Sequence, residues 1–178
     1  GKIAAITHAR KNDIPFLGIC FGMQMAIIEF ARNRLNMRNA TSREFGPSKG
    51  SVDGLMSEWV KDGKLMKGTD KELGGTMRLG SYEARLKKGS LINGIYKTAK
   101  IFERHRHRYE VNINFKEKFE GKGMIFSGLS PDMKLPEIIE LKNHPWFIGV
   151  QFHPEFKSRP LAPHPLFSSF IKASKNHK

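Results

Sequence analysis

The feature that most constrains the fold of this sequence is a change of hydrophobic period at Cys20. The run before it, Ile14–Ile19, is short and apolar and follows the turn signal Asn12-Asp13, which is typical of a buried strand. After the cysteine the apolar residues recur at helical spacing, and Arg32 and Arg34 fall where the last turn of that helix is expected. The sequence therefore predicts a strand, a tight turn at Cys20 and a helix.

Comparable patterns recur along the rest of the chain. Apolar runs predict further strands at positions 101–103, 124–128, 137–141 and 147–153, and helical spacing predicts helices over 1–11 and 165–175. No repeat or long linker divides the chain, and 178 residues fit one ordinary domain. We expect an α/β domain over residues 1–178, with an open, mostly parallel sheet flanked by helices.

Composition excludes several classes of protein. No apolar stretch approaches the roughly 20 residues that a membrane helix needs. The single cysteine cannot form an internal disulfide and favours a reducing, cytoplasmic setting. The net charge of +14 comes from 31 basic and 17 acidic residues, but the lysines are scattered and lack interleaved aromatic residues. The sequence therefore predicts a solvated basic surface, with neither a nucleic acid nor a membrane as partner.

Gly18-Ile19-Cys20-Phe21-Gly22 has the form of a nucleophile elbow, in which glycines permit a tight strand-to-helix turn. Such a turn places the thiol at a helix N-terminus, where backbone N–H groups and the helix dipole favour the nucleophilic thiolate. The N–H of Phe21 would then point at an oxyanion on the substrate. Taken alone, Cys20 could equally be an inert core residue, which is the commonest role of a lone intracellular cysteine.

His153 favours the catalytic interpretation. It ends a separate predicted strand, and Glu155 follows two positions later. A thiol nucleophile needs a base, and the base needs a carboxylate that holds its tautomer. Because the C-terminal ends of parallel strands share one edge of a sheet, Cys20 and His153 are expected to meet there. The alternative is that His153 only caps a strand.

The run from Arg104 to Arg108 alternates arginine with histidine. His105 and His107 share one side of a strand at a spacing that zinc could use, but the flanking arginines oppose a cation and we predict no metal site. The arginines could instead bind a phosphate or carboxylate, or form a solvated basic strand.

These motifs resemble a known family. Gly18–Gln24 and Gln151–Phe156 are similar to the class I (triad) glutamine amidotransferases, and Gly74–Gly80, Glu103–Asn112 and Ile28–Asn33 narrow the resemblance to the C-terminal glutaminase domain of the CTP synthase family. The likeness runs over nearly the whole chain. Alternatives are another triad glutaminase, a γ-glutamyl hydrolase, or an inactive basic interaction module.

The resemblance implies a flavodoxin-like fold and hydrolysis of L-glutamine by a triad of Cys20, His153 and Glu155. It places glutamine against a second set of residues, Phe21, Gly22, Met23, Gln24, Glu44 and Arg108. Glu44 would hold the ammonium group of glutamine, and Arg108 its carboxylate. Ammonia would pass to a synthetase domain that aminates UTP with ATP and Mg²⁺ in a homotetramer activated by GTP, whereas this chain would need no cofactor.

The sequence departs from the family in three places. Phe21 stands where leucine is usual, and Arg43 stands beside Glu44 in the loop 41–45. The family's first strands, its glycine-rich oxyanion loop and its synthetase domain all precede the residue that matches Gly1. We therefore expect a partial domain with Phe21 as its single oxyanion donor, and the loss of one such donor typically slows catalysis about 10²–10³-fold.

Overall fold

The computed structural model describes residues 1–45, 53–55, 58–61, 64–67 and 77–177, and of residue 43 and the three short segments it describes the backbone alone. The helices are α1 (Lys2–Lys11), α2 (Phe21–Arg34), α3 (Leu91–Tyr96), α4 (Lys116–Glu120) and α5 (Pro165–Asn176). The strands are β1 (Phe16–Ile19), β2 (Asp53–Leu55), β3 (Glu58–Lys61), β4 (Lys64–Lys67), β5 (Arg78–Leu86), β6 (Lys100–His107), β7 (Tyr109–Val111), β8 (Met124–Leu129), β9 (Pro136–Leu141) and β10 (Phe147–Val150). The predicted first helix, the strand-to-helix change at Cys20 and the closing helix are confirmed.

Six strands form the main sheet in the order β1-β10-β9-β8-β5-β6. Strands β1 and β10 run parallel, whereas the other four pairs are antiparallel. Two small antiparallel pairs, β2 with β7 and β3 with β4, complete the described strands. The α/β class with flanking helices is confirmed, and its described sheet is mixed where a mostly parallel one was expected.

Connection length explains this difference. A parallel pair needs a crossover of a dozen or more residues, whereas an antiparallel pair needs only a short loop. Residues 130–135 join β8 to β9, and residues 142–146 join β9 to β10, so both connections are too short for a crossover. Apolar runs report that these strands are buried, but they do not report strand direction.

Both faces of the sheet are covered. Along β10, Phe147 joins the core beneath α1, α2 and α4, whereas Ile148 joins the core beneath α3 and α5. Ile139 and Ile138 of β9 divide between the same two cores. Since successive strand residues point to opposite faces, a continuous apolar run fills both cores.

Within the described ranges, no helix is both long enough and apolar enough to span a membrane.

Candidate active site

Cys20 lies at the turn between β1 and α2, as the elbow motif predicts. Its backbone adopts φ 51° and ψ −105°, a conformation that persists only where the surroundings enforce it. The Cys20 N–H donates to the Val150 carbonyl at 2.7 Å, and its carbonyl accepts from Met23 N at 3.0 Å. The turn is therefore tied on one side to the parallel strand β10 and on the other to the first turn of α2.

Gly18 permits the close approach that this turn requires. A Cβ atom on Gly18 would lie 2.8 Å from the carbonyl carbon of Gly22 and 2.9 Å from Cε1 of Phe16. Contacts this short with the backbone of α2 cannot be relieved by rotating a side chain. Glycine at position 18 therefore fixes the distance between the end of β1 and the start of α2.

Burial dominates the chemistry of the Cys20 thiol. It raises the pKa of the thiol from 9.0 to about 11, and the carboxylates of Glu110, Glu44 and Glu155 raise it further. A hydrogen bond from the Phe21 backbone acts in the opposite direction. The backbone donor at the helix N-terminus favours the thiolate, as the sequence predicts, but desolvation outweighs it and the pKa of the thiol is raised overall.

His153 follows β10 at the same edge of the sheet as Cys20, since β1 and β10 are parallel neighbours with Ile19 opposite Val150. Nδ1 of His153 lies 2.6 Å from Oε1 of Glu155. Because a carboxylate accepts, Nδ1 carries the proton, which leaves Nε2 as the unprotonated nitrogen of a neutral ring. Nε2 is buried and has no hydrogen-bond partner among the described residues.

The His153 turn is fastened to strand β6. The His153 N–H donates to the Arg104 carbonyl at 2.8 Å, and Lys157 Nζ donates to the Phe102 carbonyl at 2.6 Å. The imidazole also stacks on Phe156, with ring centroids 5.1 Å apart. The backbone hydrogen bonds hold the turn that carries His153, and Phe156 holds one face of the imidazole ring.

A cavity of about 250 Å³ opens beside the thiol. Five of the residues singled out from the sequence line it, namely Cys20, Phe21, Gln24, Glu44 and Arg108. Four further residues complete the lining, namely Met77, Arg106, His107 and Tyr109. Arg106 is one of the arginines that the sequence offered as a carboxylate ligand, whereas no role in this site was assigned to Met77 or Tyr109. The wall thus carries a thiol, a carboxylate and guanidinium groups. Nε of Arg108 is buried and has no hydrogen-bond partner within the described part of the chain.

Two predicted glutamine contacts lie apart from this cavity. Met23 is fully buried in the core beneath α1 and α2. Gly22 lies on the first turn of α2, with open space where a Cβ would stand. The side chain of Arg43 and the segment Gly74-Gly75-Thr76 lie outside the described residues, so the expectations attached to them stay predictions.

Gln151 is a site residue that sequence reasoning quoted only as part of a motif. Its Nε2 donates to Sγ of Cys20 at 3.7 Å, and its Oε1 accepts from Nε2 of Gln24 at 3.2 Å. Nε2 of Gln24 also donates to the Tyr109 carbonyl at 3.1 Å. The sequence offered one signal for this residue, which is that Gln151 lies near the end of the predicted strand that His153 closes.

The alternating segment divides by strand face. Arg104 and Arg106 are exposed, whereas His105 and His107 are buried, with Nδ1 of His105 lying 2.9 Å from Nε2 of His107. Burial and nearby Arg78 lower the pKa of both imidazoles, that of His107 to about 4. Among the residues the structure describes, no group of three His, Cys, Asp or Glu could hold a metal ion.

A buried ionic cluster lies beneath these histidines. Nη1 of Arg78 lies 2.6 Å from Oε1 of Glu137 and 3.2 Å from Oε1 of Glu110. Burial raises the pKa of both carboxyl groups to about 7, although Arg78 lowers it. One guanidinium thus faces two buried carboxyl groups.

Known proteins are similar to this chain in sequence and in structure. The CTP synthase of Pelagibacter ubique is 78% identical over 178 residues, which is 100% of this chain and 33% of that protein. The CTP synthase of Rhizobium etli is 61% identical over 175 residues, covering 98% of this chain and 32% of that protein. The glutaminase domain of Trypanosoma brucei CTPS with bound acivicin superposes with a TM-score of 0.86 at 35% identity, over 99% of this chain and 66% of that chain.

The chain thus spans about a third of the length of the curated relatives it matches. It also matches the family described as Glutamine amidotransferase class-I over residues 1–173. That match includes both the elbow and the His153 turn, and it confirms the resemblance drawn from the motifs. The chain belongs to the class I glutamine amidotransferase family.

Proposed function

We propose that this chain is the glutaminase part of a CTP synthase and that it hydrolyses L-glutamine to glutamate and ammonia. The observation that carries the proposal is the cavity beside the Cys20 thiol, whose wall combines that nucleophile with the carboxylate of Glu44 and the guanidinium of Arg108. These two charges complement the ammonium and carboxylate groups of an amino acid. The identity to CTP synthases supports the choice of glutamine.

Cys20 would attack the side-chain amide carbon of glutamine. With a pKa of about 11, only about one thiol in ten thousand is ionised at neutral pH, so the thiol needs a base. Nε2 of His153 is the ring nitrogen that does not face Glu155, and it has no partner among the described residues, so it would take the proton. Glu155 holds the ring through Nδ1 and stabilises the imidazolium that forms.

The remaining steps use only Cys20, His153 and water. The C–N bond of the tetrahedral intermediate breaks, His153 returns its proton to the leaving nitrogen, and ammonia departs from a thioester on Cys20. Water, deprotonated by His153, then cleaves the thioester to give glutamate and the free thiol. The Phe21 N–H, at the N-terminus of α2, would donate to the oxyanion in both steps.

We further propose that the ammonia serves a synthetase domain of the same protein. That domain would aminate UTP to CTP with ATP and Mg²⁺, consistent with relatives about three times as long as this chain. The homotetramer, activation by GTP and a cytoplasmic setting are proposals that follow from the same resemblance.

Covalent labelling tests the glutaminase proposal. Acivicin, the molecule bound in the Trypanosoma brucei structure, and a glutamine-derived electrophile should each add one mass equivalent to Cys20, and excess L-glutamine should slow the labelling. Cys20→Ser should take no label. Glutamate production in the same samples measures turnover. A folded chain that takes no label and hydrolyses no glutamine would overturn the proposal and favour an inactive interaction module.

A further inference from the structure

The sequence contains only two glutamines, Gln24 and Gln151, and the structure joins them next to the thiol. We call them the glutamine pair. Gln24 lies on α2 and is 3% exposed, whereas Gln151 directly follows β10 and is fully buried. A buried amide must find partners for both its N–H and its C=O groups, so the placement of the pair fixes which group each side chain presents to Sγ.

A backbone carbonyl sets the orientation of the pair. The Tyr109 carbonyl can only accept, so the Gln24 group 3.1 Å from it is the NH₂ group. The same NH₂ group lies 3.2 Å from Gln151, which must therefore present its Oε1 to Gln24. Gln151 is left with its NH₂ group facing Sγ of Cys20 at 3.7 Å. Reversing either amide would bring two donors or two acceptors together.

The Tyr109 carbonyl also contacts the imidazole of His107. Nδ1 of His107 lies 3.2 Å from this carbonyl, so Nδ1 carries the proton and Nε2 of His107 accepts from Nδ1 of His105. The lowered pKa values of both histidines agree with one proton on each ring. The acceptor that orients the glutamine pair is thus anchored in the buried histidines of β6.

We propose that Gln151 is a further catalytic residue, which stabilises the Cys20 thiolate by donating a hydrogen bond to Sγ. Gln24 and the Tyr109 carbonyl are its positioning residues. The inference rests on the proposed function only in taking Cys20 as the nucleophile. Hydrogen bonds to charged groups are about twice as strong as those between neutral groups, so the amide stabilises the thiolate more than the thiol. It would thereby offset part of the desolvation that disfavours the charged form.

Other groups around the thiol also affect its ionisation and must stay constant in a test. They are Glu44, Glu110, Glu155, Arg106, His107, Arg108 and His153. Burial and, to a smaller extent, the three carboxylates raise the pKa of the thiol, and the donors facing the sulfur oppose both effects. A substitution that removes the Gln151 donor without changing charge isolates its contribution.

Gln151→Met makes that change at similar side-chain length. The pKa of Cys20 is measured by ultraviolet titration of the thiolate, with the Cys20→Ser chain subtracted as background. We expect the pKa to rise by about one unit in Gln151→Met. Gln24→Met should raise it by less, because the Gln151 amide stays present but loses its orientation. Asn33→Leu is the matched control, since it removes an amide from α2 that bonds to Glu29 instead, and it should leave the pKa unchanged.

A second measurement does not depend on a substituted chain that folds. With ¹³C-labelled glutamine side chains, the unsubstituted protein should give two carboxamide carbon resonances, and one of them should shift as the thiol ionises. A thiol pKa that is unchanged in a folded Gln151→Met chain, or carboxamide resonances that both stay constant through the titration, would overturn the inference.

Neither measurement uses free L-glutamine as a substrate, so the two proposals can fail separately. A shifted thiol pKa without glutamine hydrolysis would refute the glutaminase function and leave the hydrogen bond standing. Hydrolysis with an unchanged pKa in Gln151→Met would refute the role of Gln151 and leave the glutaminase standing.

Discussion

Replacing Arg78 with methionine should destabilise the protein strongly, and by an amount that depends on pH. The Arg78 side chain is 2% exposed and contacts Glu137 and Glu110 at 2.6 and 3.2 Å, while its guanidinium lies 4.4 Å from the centre of the Tyr82 ring. Removing one partner of a buried ion pair typically costs about 3–5 kcal/mol, because a buried charge is left uncompensated. We expect a loss in this range at about pH 8.

The pH dependence follows from the two carboxyl groups. In the folded protein their pKa is about 7, above the ordinary value of 4.5, so the folded state binds protons more tightly than the unfolded state. Their contribution therefore makes the unfolding free energy fall as pH rises from 4.5 through about 7. Without Arg78 the folded pKa values rise further, and this fall becomes larger and extends to higher pH. The deficit of Arg78→Met should thus be smallest near about pH 5, where both carboxyl groups are protonated.

Urea denaturation followed by fluorescence of buried Trp146 measures this deficit at both pH values. Arg85→Met on the same strand is the control, since Arg85 is 59% exposed and lies 3.7 Å from Glu83. A surface pair of this kind contributes about 0–1 kcal/mol. A deficit for Arg78→Met that matches the control, or one that is equal at both pH values, would refute the reasoning.

Three further substitutions test the site and its frame. Gly18→Ala places a methyl group against the backbone of α2, so we expect a loss of about 1–3 kcal/mol in urea denaturation and slower acivicin labelling; unchanged values would contradict the close approach. Arg10→Met leaves buried Glu29 uncompensated, so about 3 kcal/mol should be lost near neutral pH. Because the pKa of Glu29 is lowered from 4.5, its contribution is present above that pH and disappears as pH falls through the folded pKa, and so should the deficit. Glu155→Gln removes the carboxylate charge that stabilises a protonated His153, and glutamate production should fall roughly 10²-fold or more, whereas a loss below about tenfold would exclude that role.

The sequence predicts the part of the fold that depends on local signals. The change of period at Cys20, the glycines around it and Pro165 at the start of the last helix are all local, and the structure has the corresponding elements there. Strand direction is not local, because it depends on which strands pair. The short connections before and after β9 were the available signal for antiparallel neighbours.

In the candidate site, too, local motifs predict some residues, whereas packing and strand pairing place others. Cys20, Gln24 and Arg108 belong to motifs, and all three line the cavity. Met23 belongs to the same motif as Cys20, yet helical geometry turns it into the core. Gln151 contacts the thiol only because β1 and β10 pair in one register, and sequence spacing alone does not supply that register.

Alternation along β6 also explains why the arginine–histidine segment is not a simple basic surface strand. A period of two sends Arg104 and Arg106 to solvent, while His105 and His107 enter the interior beside Arg78. Burial, together with the guanidinium there, lowers the pKa of both imidazoles, so each ring keeps one proton and one lone pair. The Nδ1–H group of His107 donates to the Tyr109 carbonyl and so holds the acceptor that orients the glutamine pair. The buried histidines of this segment therefore affect the thiol by orienting the glutamine pair. The positive charge of the segment lies on its exposed arginines.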